Sequence, residues 1–528
     1  MTSKSGSGRA DGRAFSLNDI VCPNRVHRTW AGTFKCYPEK YFQPSSIEEI
    51  VHIVKLARHN EKTIMLTGSG HSPSSLTMTD SWMVNLDKFN QVLQVAPHPS
   101  GAYTDVTVEA GIRIYQLNQY LENIALAIQN LGSISDQSAA GIISTGTHGS
   151  TAYHGLVSQQ VVDISLITAS GELIYCSSEK NTNLFRAALL SVGKLGIIAH
   201  MTIRTVPAFN LKVVQEVVTF EEFIRRWPEF WTSAEYTRCW WFPYSKKCIL
   251  GRLDKTTEPV SPSRYSFYGT FLGRMIYETL LLISVKILPR LTPAVERWLF
   301  NRQYGRPGQA CTTIVQKSVD ALNMDCLYSQ FVNEWSLPLS SGLQVLADIE
   351  QAIDRAAQNG DYFVHAPIEV RISNTTVPAH QHPSSLDSSL YSINNLGAVP
   401  GNQLRPLLDT TPRLSHTESV KDVNIANLTL YLNATMFRPF GFDCAISKWY
   451  QEFEHIVREG NPHWAKNFIG SSLQNDSSYD GQMLGIKDKV RKYLGSDLEL
   501  FKQLRNEHDP DGIFLSGRQW AEINGLVD

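Results

Sequence analysis

The spacing of apolar residues along this chain changes twice. In the first third, Ile50, Ile53, Val54 and Ala57 recur at helical spacing. They follow Pro44-Ser45-Ser46-Ile47-Glu48-Glu49, a serine cap with early carboxylates, so a helix is predicted to start there. The stretches 63–66, 82–86 and 106–111 read as short strands, and 199–206 alternates as a strand should. This gives a βαβ-like opening, and further helices are expected over about 113–124 and 183–192. After Pro207 the texture shifts. Aromatics gather at Phe220, Phe223, Trp227, Phe230, Trp231, Trp240, Trp241 and Phe242. Strand signals then alternate with long helices such as 342–358, which predicts an antiparallel sheet with helices on one face. Periodicity is nearly lost over 376–423, rich in Pro, Ser, Asn and His, and a long surface loop is expected. From about Asp488 the pattern is helical up to a turn at Asp509-Pro510. Residues 1–25 read as a loose tail.

Two strands carry polar residues in step. Residues two apart in a strand share a face. In 367–373, Ile368, Val370 and Ile372 point one way and Glu369 and Arg371 the other. Such a pair is either a surface ion pair worth ~0–1 kcal/mol or part of a site. Asn433 and Thr435 repeat the geometry, on an exposed face or beside a polyol. Pro462-His463-Trp464-Ala465-Lys466 is either a helix start with a solvated lysine or a cation held at a site.

Glycines mark a second kind of chemistry. Gly68-Ser69-Gly70-His71-Ser72 follows the strand at 63–66, and its backbone N–H groups suit a phosphate. It is not the Rossmann fingerprint, because Pro73 stands where the third glycine is needed. A phosphate turn ending on a nucleophilic imidazole is what a covalent flavin requires; an incidental histidine on a tight turn is the alternative. The stretch 130–149 holds Gly132, Ser133, Ser138, Gly141, Ser144, Thr145, Gly146 and His148. Small hydroxyl residues and glycines can wrap a long polar cofactor better than they can build a core. Gly196 and Ile198 open the strand after a third such turn.

Composition removes several classes. A chain of 528 residues suggests two or three domains. Net charge −2 with no long basic stripe argues against a nucleic-acid partner. Eight scattered cysteines with no CxxC pair disfavour zinc and a disulfide framework, and no metal is expected. The first fifteen residues lack an apolar core, so no secretory signal is expected. The segment 267–291 has a charge-free stretch far short of the roughly 20 residues needed to span a membrane. It reads either as an amphipathic helix lying on a membrane face or as a helix packed on the protein's own core.

Taken in order, the glycine turns resemble the flavin domain of the vanillyl-alcohol-oxidase superfamily. Gly68 to Ser74, Glu369-Val370-Arg371, His463-Trp464-Ala465-Lys466, Trp240 to Tyr244 and Asp509 to Phe514 together resemble the aldonolactone oxidases. The resemblance runs from about Trp30 onward. It implies an α+β, two-domain flavoprotein, with an FAD domain at 26–206 and a substrate (cap) domain at 207–528 whose end returns to the flavin. It implies FAD linked covalently through His71 and cradled by the residues of the glycine turns. Arg371 would stabilise reduced flavin, and Glu369 would bind substrate hydroxyls and orient Arg371. Lys466 would be a cation whose pKa a like charge or desolvation lowers, with His463 a structural partner. Asn433 and Thr435 would bind hydroxyls. The proton acceptor stays open among Lys466, His463 and Glu369. The implied reaction oxidises D-arabinono-1,4-lactone with oxygen to the dehydro-lactone (D-erythroascorbate) and hydrogen peroxide. A cytochrome c-linked dehydrogenase, an alditol oxidase and a non-catalytic flavin scaffold are the alternatives, the last opposed by the intact motifs. The implied location is a mitochondrial membrane, held peripherally through 267–291.

Overall fold

The computed structural model describes residues 20–262, 266–267, 269–305, 310–324, 326, 328–375, 399, 401–414, 425–470 and 484–527. The first helix is Ile47–His59, and Ser46 Oγ accepts from the Glu49 amide at 3.2 Å. It buries Ile50, Ile53, Val54 and Ala57, the four residues the spacing picks out. The helix links Lys40–Phe42 to Ile64–Thr67, and both strands lie parallel to Trp82–Asn85. A second, antiparallel sheet follows, ordered Leu173–Ser177, Val161–Ile167, Ile197–Pro207, Thr104–Glu109, Val92–Pro97. The helix expected over 183–192 is shorter, Thr182–Ala188, because the chain turns at Val192 and Gly193, both with positive φ. Of the predicted tail, residues 1–19 lie outside the described residues. Residues 20–22 are not loose: Ile20 is buried and Val21 bridges to Phe42.

The second domain is one eight-stranded antiparallel sheet. Its order is Cys311–Lys317, Asn210–Thr219, Lys247–Thr256, Tyr236–Phe242, Ile368–Ser373, Thr429–Phe437, Gln330–Pro338, Asn461–Pro462. One face, with Trp241, Cys239, Ile368, Val370, Ile372 and Trp335, packs against helices Phe220–Arg225, Trp227–Phe230, Gly342–Asn359 and Ser447–Ile456. The expectation of helices on one face alone does not hold. Phe271–Lys286 and Thr292–Tyr304 lie over the other face, where Phe300 and Tyr304 meet Phe242, Ile249 and Trp240.

One further expectation is corrected and two open alternatives are narrowed. Of the supposed surface loop 376–423, residues 401–412 of the described part are largely interior: Leu404, Leu407 and Leu408 are buried in the first domain's core, and the chain reaches the surface at Arg413. Its polar groups are answered there, Asn402 donating to the Ser158 and Val161 carbonyls and Arg405 pairing with Asp409 at 3.1 Å. The segment 267–291 is one helix only to Lys286, and its Leu281 is buried against Tyr277, Val295 and Leu299, so that side faces protein. No described helix is long and apolar enough to cross a membrane. The five residues 461–465 form a short strand and turn rather than a helix start. From Ile486 to Leu526 the chain does return to the first domain, where Val490, Phe501, Phe514 and Trp520 complete the core.

Candidate active site

Two adjoining cavities are present, one cut into the first domain and one between the domains. The first, about 120 Å³, is a slot walled by Gly68, Ser69, Gly70, His71, Ser72, Ser138, Gly141, Ser144, Thr145, Gly196 and Ile198. Gly70 takes φ +74, the left-handed region, which is how the chain leaves the strand and still presents His71. A Cβ on Gly68 or Gly141 would stand 2.7 or 2.8 Å from Ser138 Oγ, so the walls are as close as backbone allows. Gly146 lines neither cavity: it takes φ +75 against Leu190 and shares a backbone hydrogen bond with His463.

The second cavity, about 380 Å³, shares His71, Gln137 and Thr145 with the slot. Gly132, Ser133, His148, Glu369, Arg371, Asn433, Thr435, His463 and Lys466 all face it. Strand register explains the convergence. Trp240 pairs with Glu369, Glu369 with Asn433, and Asn433 with Glu334, so one row crosses four strands on the cavity face. Along it, Arg371 Nη2 donates to Glu369 Oε1 at 2.9 Å and Asn433 Nδ2 to Glu369 Oε2 at 3.1 Å. Trp240 Nε1 reaches Glu369 at 3.4 Å, and Thr435 Oγ1 donates to Asn433 at 3.3 Å. Both charged partners are mostly buried, so this is no solvated surface pair. Behind Arg371, burial and that like charge bring the Arg238 guanidinium down to about 10, against the pull of Glu369. Burial brings the His71 imidazole down to about 4, with Asp136 opposing and Arg113 and Lys466 reinforcing. The ring stacks on Trp30 at 5.2 Å, and its Nδ1 is buried without a hydrogen-bond partner.

The model of the D-arabinono-1,4-lactone oxidase family matches residues 201–524, and that of an FAD binding domain matches 38–177. The chain belongs to the D-arabinono-1,4-lactone oxidase family. Relatives bearing that name include one from Yarrowia lipolytica, 54% identical over 97% of this chain and 100% of that protein. Another, from Saccharomyces cerevisiae, is 49% identical over 96% and 97%. Among solved structures, a cholesterol oxidase from B. sterolicum superposes with TM-score 0.75 at 15% identity, covering 100% of both chains. A solvent-stable cholesterol oxidase gives 0.73 at 17%, over 96% of this chain and 98% of that one. These two likenesses are of fold, and they fit the two-domain flavoprotein expected.

A family member needs room for FAD, and the walls suit it. Thr67 Oγ1 and His71 Nδ1, both on the slot, are buried polar atoms without hydrogen-bond partners among the described residues. Close glycine walls, hydroxyls and unanswered polar atoms match a long dinucleotide.

One charged residue of the cavity wall escaped the sequence reading. Glu334 is the only charged residue in Gln330–Pro338, which is its one sequence signal. It is buried, with Oε1 2.6 Å from His148 Nε2 and Oε2 3.4 Å from Lys466 Nζ. Burial opposes its charge, yet Lys466 and His148 hold its carboxyl well below the usual range. Lys466, expected beside a like charge or in a desolvated site, pairs with a carboxylate. The half-buried His463 ring is brought down to about 3 by desolvation despite Glu334, and its Nδ1 accepts from the Ala465 amide. With its other contact to Gly146, its ring is committed to the fold.

Proposed function

We propose that this protein oxidises D-arabinono-1,4-lactone with oxygen, giving dehydro-D-arabinono-1,4-lactone and hydrogen peroxide, with FAD in the slot. The carrying observation is that the slot opens, at His71, onto a cavity floored by Arg371, Glu369, Asn433 and Thr435. FAD, when bound, supplies the hydride acceptor and passes two electrons on to oxygen. The chain's own residues do the rest. Backbone and hydroxyl groups of Gly68, Ser69, Ser72, Ser138, Gly141, Ser144, Thr145, Gly196 and Ile198 hold the dinucleotide. Glu369, Asn433 and Thr435 take the ring hydroxyls in register. Arg371, with the half-buried Arg238 near it, supplies positive charge where electron density accumulates. Walls of Phe242, Ile249, Tyr277 and Tyr304 exclude water above the row. His463 holds the turn that carries Lys466, which leaves proton acceptance to Glu369 or Lys466.

The flavin is covalently linked to His71. Its depressed imidazole is neutral at physiological pH, and a neutral ring nitrogen is the nucleophile such a bond requires. Acid-precipitated, washed protein then stays yellow, and His71→Ala releases its flavin. The decisive experiment for the reaction measures peroxide from purified protein over a panel of lactones and alditols, with cytochrome c as rival acceptor. Peroxide from D-arabinono-1,4-lactone supports the reading; turnover with alditols or cytochrome c alone overturns it.

The protein meets a mitochondrial membrane peripherally. Support comes from exposed Phe271, Leu272, Ile287, Leu288, Leu291 and Trp298, with Phe440 and Phe442 near Lys286. Because Leu281 is core, Phe271→Gln with Ile287→Gln is the informative variant. It should move the protein from the membrane pellet to the soluble fraction with lactone oxidation intact. Wild-type protein found wholly soluble would end this part of the reading.

A further inference from the structure

We infer that Glu334 is a positioning residue for the reaction: its carboxylate fixes Lys466 at the cavity wall by tying it to His148 on the cofactor side. Three observations carry this. The carboxylate bridges two domains, since His148 belongs to the loop that follows the slot's wall and Lys466 to the turn after Asn461–Pro462. The bridge is braced at the backbone, where the His463 amide donates to the Glu334 carbonyl at 2.8 Å and the Asn467 amide to the Val332 carbonyl at 2.6 Å. His148 itself cannot drift: Tyr431 stacks on it with ring centroids 3.5 Å apart, and its Nδ1 meets the Gly149 carbonyl at 2.8 Å.

Chemistry follows from this geometry. A lysine ammonium is a point charge on a four-carbon stem, with three donors and no preferred fork. Its reach into a cavity of about 380 Å³ is set by whatever holds it. The ammonium is ion-paired with Glu334 Oε2 at 3.4 Å, which holds it at the wall with donors left to meet an oxygen of the ligand. Glu334 sits in the cavity wall with its carboxylate only 6% exposed and its two oxygens turned to His148 and Lys466, so its effect passes through Lys466. The inference rests on the lactone-oxidase reading of the cavity.

The test is a double-mutant cycle on the holoenzyme, with Glu334→Gln, Lys466→Met and both together. The readouts are stopped-flow flavin reduction by lactone, lactone binding by the thermal shift it causes, and Tm without ligand. Loss of an outer partner of a working group typically costs about 10–100-fold in activity. E334Q is expected to slow flavin reduction by about that much and weaken the lactone-induced shift, while the fall in ligand-free Tm from the broken ion pair is shared by K466M. In the K466M background, E334Q should change the rate by less than about twofold, since its effect passes through the lysine. An equal loss in both backgrounds makes Glu334 an independent structural group and overturns the inference, as does a wild-type rate in E334Q. Glu334→Asp, which keeps the buried charge but withdraws it from Lys466, runs through the same cycle and decides the matter if E334Q does not accumulate. Failure of wild-type protein to oxidise the lactone would instead sink the reading of the cavity.

Discussion

The loop from His148 to His154 anchors two carboxylate–histidine–lysine clusters that differ chiefly in what lies beyond the lysine. In one, Glu334 meets His148 at 2.6 Å and Lys466 at 3.4 Å. In the other, Glu235 meets His154 at 3.3 Å and Lys255 at 2.9 Å. Both carboxylates are buried, and in both the basic partners hold the carboxyl down against burial. Lys466 faces the larger cavity, whereas Lys255 lies over the Phe209 ring at 5.1 Å, closed off by an aromatic face. Residue type and burial therefore do not distinguish a working cluster from a structural one. The surroundings of the ammonium do.

The strongest way to break this contrast is to empty the sealed cluster. Removing one partner of a buried ion pair costs about 3–5 kcal/mol because a charge is left uncompensated. Glu235→Ala should lower unfolding free energy by that order in denaturant titration, while flavin reduction per folded molecule stays at the wild-type rate. A rate loss without a stability loss would erase the distinction. The open site should behave in the opposite manner. Arg371→Ala should slow flavin reduction about 10²–10³-fold, the usual result of deleting a preorganised donor, with Tm nearly unchanged. A variant reduced at the wild-type rate would return the Glu369–Arg371 pair to a bystander's role.

Acid sharpens the comparison. Burial holds His154 down despite Glu235, and holds His365 and His463 at about 4 and about 3. Their unfolded values lie near 6.5, so the unfolded chain binds more protons between those limits. Their contribution is present above pH ~6.5 and is lost as pH falls toward the folded values. Glu334, held low, keeps its charge through most of that window. The denaturant midpoint should fall between pH 7 and pH 5, before the carboxylates protonate; a flat profile would contradict it. The smallest effect concerns Thr435, whose single hydrogen bond to Asn433 is worth about 0.5–1.5 kcal/mol. Thr435→Ala should raise KM for lactone by about 2–10-fold with kcat nearly constant, as expected of uniform binding.

Local pattern reached far into this molecule. A cap, a spacing of four apolar residues and a glycine turn were enough for Ile47–His59 and the strand that presents His71. Alternation gave the shared face of Glu369 and Arg371. What escaped depends on partners distant in sequence. Glu334 is anchored on His148, 186 positions away, and nothing local marks a glutamate as bridging two domains. Residues 401–412 look like surface because their polar groups find partners such as Ser158 and Val161, more than 240 positions back. The buried side of Phe271–Lys286 is chosen by Tyr328 and Phe437, which its own periodicity cannot reveal.

The return of the chain to the first domain has a consequence for biogenesis. Phe501, Phe514 and Trp520 sit in the same core as Ile50 and Val84, and the Ile64 amide donates to the Ile513 carbonyl at 2.7 Å beside the strand that leads to His71. These residues are translated only after the whole eight-stranded sheet. On the ribosome the nucleotide-binding half therefore waits, its apolar interior open, until the other half has emerged. Cofactor loading belongs to the end of synthesis, and a nascent chain stalled within the sheet would be a client for chaperones rather than a half-built enzyme.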